Sequence, residues 1–107
     1  MSAVTHRHQL GPIDRIPVGE ARVYRVDGKD VAVFRCRSGE VFATSAECPH
    51  RGGPLADGLV GGHSVICPMH GFAFDLRTGE APGRECTRLE THRVTATASG
   101  SLILELA

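Results

Sequence analysis

Two short runs of this chain carry residue types that bind metal: Cys48-Pro49-His50-Arg51-Gly52-Gly53 and Cys67-Pro68-Met69-His70-Gly71. Each offers one thiolate and one imidazole, as C-x-H in the first and C-x-x-H in the second, with residues 51–66 between His50 and Cys67. Two cysteines and two histidines in this order suit a [2Fe–2S] cluster in which one iron takes two thiolates and the other two imidazoles. Neutral imidazoles leave such a cluster less negative than four thiolates would, so it accepts an electron more readily. A structural zinc ion is the competing reading of the same four residues. Zinc fingers, however, usually pair ligands of one kind, cysteine with cysteine and histidine with histidine. Here each run holds one of each, and C-x-H is tight for a zinc knuckle. Gly52, Gly53 and Gly71 let backbone N–H groups approach bridging sulfides and allow positive φ. Pro49 and Pro68 fix φ directly after each cysteine and remove a competing donor.

The runs extend to Cys48-Pro49-His50-Arg51-Gly52-Gly53-Pro54-Leu55 and Cys67-Pro68-Met69-His70-Gly71-Phe72. In that form the chain resembles the Rieske iron–sulfur family. The following Phe74-Asp75-Leu76-Arg77-Thr78-Gly79-Glu80 is similar to the turn after the second loop of Rieske ferredoxins. The resemblance covers almost the whole chain. It implies one [2Fe–2S] cluster per chain, held by Cys48, His50, Cys67 and His70. It also implies an all-β fold, an antiparallel β sandwich, with a small cluster-binding subdomain inserted at about residues 47–75 of a single domain, 1–107. The histidines are expected at the exposed tip and the cysteines deeper. Pro54, Leu55, Phe72 and Pro82 are expected to form an apolar rim around the histidines. Ala81-Pro82-Gly83 reads equally as a loop covering the cluster or as a plain surface turn.

Departures from the family pattern carry information. High-potential Rieske proteins have an extra cysteine in each loop, joined as a disulfide; the matching positions here are Gly53 and Met69. They also place a serine and a tyrosine, both hydrogen-bond donors to the cluster, where this chain has Phe72 and Phe74. The resemblance therefore implies a low-potential carrier, near the lower end of the Rieske range at about −150 mV. Such a carrier suits electrons arriving from NAD(P)H through a flavin reductase. The first expectation is a ferredoxin component passing single electrons to a terminal oxygenase. The alternative is the small subunit of an assimilatory NAD(P)H nitrite reductase, working with its large subunit. A complete oxygenase would need a mononuclear iron bound by two histidines and a carboxylate, for which few residues remain.

The elements that must position these loops read as β. Val31-Ala32-Val33-Phe34 is apolar on both faces, as in a buried strand. Asp27-Gly28 before it signals a hairpin from a strand over residues 22–26. Ser38-Gly39 turns the chain into Val41-Phe42-Ala43. Val94, Ala96 and Ala98 alternate with threonines, and Leu102, Leu104 and Leu106 alternate beyond Ser99-Gly100, predicting a third hairpin. No long helix is expected.

Composition bounds the rest. The chain has 107 residues, 12 basic and 12 acidic, with a formal net charge of zero. Without a basic excess, nucleic acid is not the expected partner. His6, Arg7, His8 and Asp14 break up the start, so no signal peptide is read there, and no run approaches the length of a membrane span. A cytoplasmic protein with no membrane partner is expected. Cys36 and Cys86 match no ligand spacing and read as free thiols, buried or nearly so, with a disulfide between them as the alternative. His6, His8, His63 and His92 read as surface residues. Arg51, Asp57 and Arg84 read first as solvated charge, the other reading being a place near the cluster where they help choose a partner.

Overall fold

The computed structural model describes residues 7–49, 53–68, 71–83 and 88–106. Nine strands follow one another: β1 Arg7–Pro12, β2 Glu20–Val26, β3 Lys29–Arg35, β4 Val41–Ser45, β5 Leu59–Val60, β6 Ser64–Ile66, β7 Ala73–Asp75, β8 Thr91–Ala96 and β9 Ser101–Glu105. Two 3-10 turns, Ile13–Arg15 and Leu55–Asp57, are the helical elements among the described residues. No helix among these residues is long and apolar enough to cross a membrane.

Six strands form one sheet in the order β1-β9-β8-β4-β3-β2, and β5-β6-β7 form a second, smaller one. Every pairing is antiparallel. The β2–β3 hairpin turns on Asp27 and Gly28, with φ of 49° and 76°. Positive φ at both central residues is the type I′ signature that matches strand twist. β4 meets β8 through only Ala43 with His92 and Thr44 with Thr91. That short junction lets the large sheet fold over, so that Val31, Val33 and Ala43 of one half pack with Val94, Leu102 and Leu104 of the other, as a sandwich. His8 Nε2 lies 3.3 Å from the Asp27 carboxylate, tying the β1 edge to the β2–β3 turn.

β3 explains why its sequence is apolar on both faces. Side chains alternate along a strand. Val31 and Val33 enter the sandwich core, whereas Ala32 and Phe34 enter a second core shared with the small sheet. That second core holds Cys48, Leu55, Val65, Cys67, Phe74, Leu76 and Leu89. One strand thus backs both layers, and the small sheet rests on it.

The sequence expectation missed β1. Gly11 and Pro12 sit in it, and its pairing with β9 slips between Gln9 and Gly11. An edge strand with a bulge has little alternation to read. Ala98, expected within a strand, lies in the turn after β8. There the Thr97 hydroxyl accepts from the Ser101 N–H at 3.1 Å and stops the ladder. β5, β6 and β7 are too short for periodicity to show.

Candidate metal centre

Both runs that carry the candidate ligands are hairpin tips. In the first, the Leu55 N–H donates to the Ala46 carbonyl at 3.0 Å, Glu47 bridges Pro54, and the Cys48 N–H donates to the Gly53 carbonyl at 2.8 Å. In the second, the β6–β7 ladder pairs Val65 with Phe74 and Ile66 with Ala73. It closes with the Cys67 N–H donating to the Phe72 carbonyl at 2.8 Å. Each cysteine is therefore the last ladder residue before a tip of equal span, residues 49–52 in one hairpin and 68–71 in the other. Gly71 takes φ of 71°, the left-handed turn anticipated for it. Gly53 is buried.

Cys48 and Cys67 are 2% and 1% exposed and belong to the same core. His50 and His70 lie outside the described residues, as do Arg51, Gly52, Met69 and Arg84. Cys86 lies outside them too. The cysteines sit deep, as expected.

The donor set fits an iron–sulfur cluster. A thiolate without a cationic partner is unfavourable in an apolar core; Cys48 and Cys67, each the last paired residue of its hairpin, share one core with Cys36, and as thiolates they would be held there by a shared cation. Cys36 is the contrast. It is a buried thiol without a disulfide, and burial together with the Glu40 carboxylate pushes its pKa up. It stays protonated and serves as a small apolar side chain. Among the described residues no group of three or more histidine, cysteine and carboxylate side chains is arranged to hold a metal ion.

Aromatic and ionic contacts brace the second hairpin. Phe74 is fully buried, and its ring centroid is 6.4 Å from that of the half-buried Phe72. After β7, the Asp75 carboxylate accepts from the Arg77 backbone N–H at 2.8 Å, from Nε at 3.2 Å and from Nη2 at 2.9 Å. The Gly79 N–H donates to the Asp75 carbonyl, and the Leu89 N–H to the Gly79 carbonyl. Hydrogen bonding from the Arg77 side chain lowers the Asp75 pKa to about 2 from 3.8.

A depressed carboxylate pKa contributes stability that is complete above the ordinary value and is lost as pH falls towards the folded one. Asp75→Asn is therefore expected to lower the thermal midpoint at neutral pH. Its gap to the wild type should narrow between about pH 5 and about pH 3. Melts of both proteins across this range check it; a gap that does not change with pH contradicts it.

Two expectations need correction. Leu55 is not part of an exposed rim: it is fully buried in the second core. The 3-10 turn Leu55–Asp57 rotates it inward, into that core, while Pro54 and Pro82 remain exposed and Phe72 is half-buried. His92 is not a surface residue either. It is 8% exposed, because it shares the inward face of β8 with Val94. Burial lowers its pKa, against the opposing pull of Glu90, whose carboxylate is 3.5 Å away. His63 is exposed, as expected.

A family profile for the Rieske [2Fe-2S] domain matches residues 6–94. The chain belongs to this family, whose domain carries a single [2Fe–2S] cluster. Among curated relatives, it is 36% identical over 69 residues to the ferredoxin component of the naphthalene 1,2-dioxygenase/salicylate 5-hydroxylase systems of a Ralstonia species. That match covers 64% of this chain and 65% of the relative, just under two thirds of its length. Among solved structures, the Sphingomonas yanoikuyae B1 ferredoxin is 30% identical, with a TM-score of 0.80 over 95% of this chain and 100% of that one. A Mycobacterium tuberculosis protein assigned as an NADH-dependent nitrite reductase small subunit has a TM-score of 0.89 over 98% of both chains. At 22% identity that last likeness is one of fold alone.

Proposed function

We propose that this protein is a one-electron carrier, the ferredoxin component between an NAD(P)H-dependent flavin reductase and a terminal oxygenase in the cytoplasm. The observation that carries the reading is the pair of buried cysteines at matched hairpin tips, Cys48 and Cys67, in one core. Likeness to a ferredoxin along its full length supports the carrier role over that of an enzyme with its own substrate site.

When bound, a [2Fe–2S] cluster takes up and releases one electron at a time. In this reading Cys48 and Cys67 hold it through thiolates from below, and His50 and His70 through imidazoles at the tips. The residues 47–75 act as its binding subdomain within one domain, 1–107. Leu55, Val65 and Phe74 keep water from the sulfur side. Phe72 and Phe74 offer no hydrogen-bond donor, which leaves the reduced, more negative state less favoured.

The second reading is the small subunit of an assimilatory nitrite reductase, favoured by the fold likeness over nearly the whole of both chains. Size-exclusion chromatography of a native extract separates the two. A free species near 11.4 kDa, reduced by NADH once a purified flavin reductase is added, is the expected result. Co-elution with a much larger sirohaem flavoprotein overturns it.

A further inference from the structure

The small sheet is apolar on both faces. Its inward row, Val60, Val65 and Phe74, lines the core that holds the cysteines. Its outward row is Leu59, Ile66 and Ala73, paired across all three strands. Leu59 is 73% exposed and Ile66 40%. A sheet with one face in solvent ordinarily alternates apolar-in with polar-out, so an outward apolar row needs a reason. A groove of about 370 Å³ borders Leu59 and Ile66 of this row and is lined also by Cys67, Pro68 and Gly71. Asp57 stands at its margin, exposed and in no ion pair among the described residues.

We propose that this outer face, Leu59 and Ile66 with Asp57 beside them, is a docking surface for a redox protein that presents an apolar side chain flanked by a basic one. The inference rests on the electron-carrier reading. Three observations select this occupant. Ile66 directly precedes Cys67, so a partner seated on the row lies one residue from a candidate ligand, a short path for an electron. The apolar row is narrow and asks for a small, transient contact, the size class of redox encounters. The Asp57 carboxylate, in no ion pair among the described residues, asks for a cation, which would steer approach and fix orientation. A partner docked here lies beside the second hairpin rather than over its tip.

Cytochrome c is the probe, since its exposed haem edge is an apolar patch rimmed by lysines. One electron passes from the reduced protein to ferric cytochrome c, which becomes ferrous, with no proton exchanged. Leu59→Ser and Ile66→Ser should each slow this transfer, and weaken calorimetric binding at low ionic strength, by roughly five- to tenfold. Asp57→Asn should flatten the dependence of the rate on salt. Val23→Ser, at an exposed apolar position on β2, should match the wild type. Transfer to ferricyanide, the EPR spectrum and the potential should be the same in all four variants. If the wild type reduces ferricyanide and cytochrome c but the Leu59 and Ile66 variants stay within twofold of it, the docking surface is overturned and the carrier reading stands. If the wild type shows no reversible one-electron signal, both fall.

Discussion

His50→Ala and His70→Ala are expected to come through aerobic purification colourless, whereas the wild type is red-brown with two iron and two sulfide per chain. In the proposed four-ligand set, deleting an imidazole would leave an iron open to water, and an alanine methyl cannot replace the donor. Loss should be complete rather than graded, because each protein ligand is a large share of the binding free energy. Cys48→Ala and Cys67→Ala should behave alike and also open a gap in the second core, where both side chains are buried. His63→Ala is the control. His63 is exposed, and its backbone carbonyl accepts from the Leu76 N–H at 2.9 Å. Iron and sulfide assay with EPR of the reduced protein reads the outcome. A colourless wild type containing one zinc would overturn the four-ligand assignment.

The second large effect is on the reduction potential. The wild type is expected near the low end of the Rieske range, about −150 mV. Phe72→Ser with Phe74→Tyr restores the two hydroxyl donors of the high-potential pattern. A hydrogen bond to a charged acceptor is worth about 1.5–3 kcal/mol. About 1.4 kcal/mol corresponds to about 59 mV for one electron. Because the reduced state is the more negative, it gains more, and the double variant should titrate higher by roughly 100–250 mV if most of that energy acts on one state. Phe74 is fully buried on the inward face of β7, so a new hydroxyl there must find an acceptor or lower stability. A melt beside the EPR-monitored redox titration distinguishes the two. A change under about 30 mV in a variant that keeps its cluster would show that these positions do not set the potential.

Much of the chemistry is written in short spacings. The C-x-H and C-x-x-H runs, the missing extra cysteines at Gly53 and Met69 and the phenylalanines at 72 and 74 need only neighbouring residues to be read. The Asp27-Gly28 hairpin is equally local, since positive φ at both positions depends on those two residue types. β3 was legible as buried because four apolar residues in a row leave no polar face. Three-dimensional packing decided what such spacing leaves open. Pro54-Leu55 looks like a surface rim in one dimension, yet the 3-10 turn carries Leu55 into the second core and leaves Pro54 outside. His92 is polar and lies in an alternating strand, but it falls on the buried face of β8 with Val94.

The outward row of Leu59, Ile66 and Ala73 exists only when three strands of two and three residues pair in one register. The shared core that holds Cys48 and Cys67 likewise brings together β3, both hairpins and Leu89. Ligand identity is a property of residue type and local spacing, which the sequence by itself determines. Burial, and the face a side chain presents, depend on residues brought close from distant parts of the chain, and only the tertiary structure decides them.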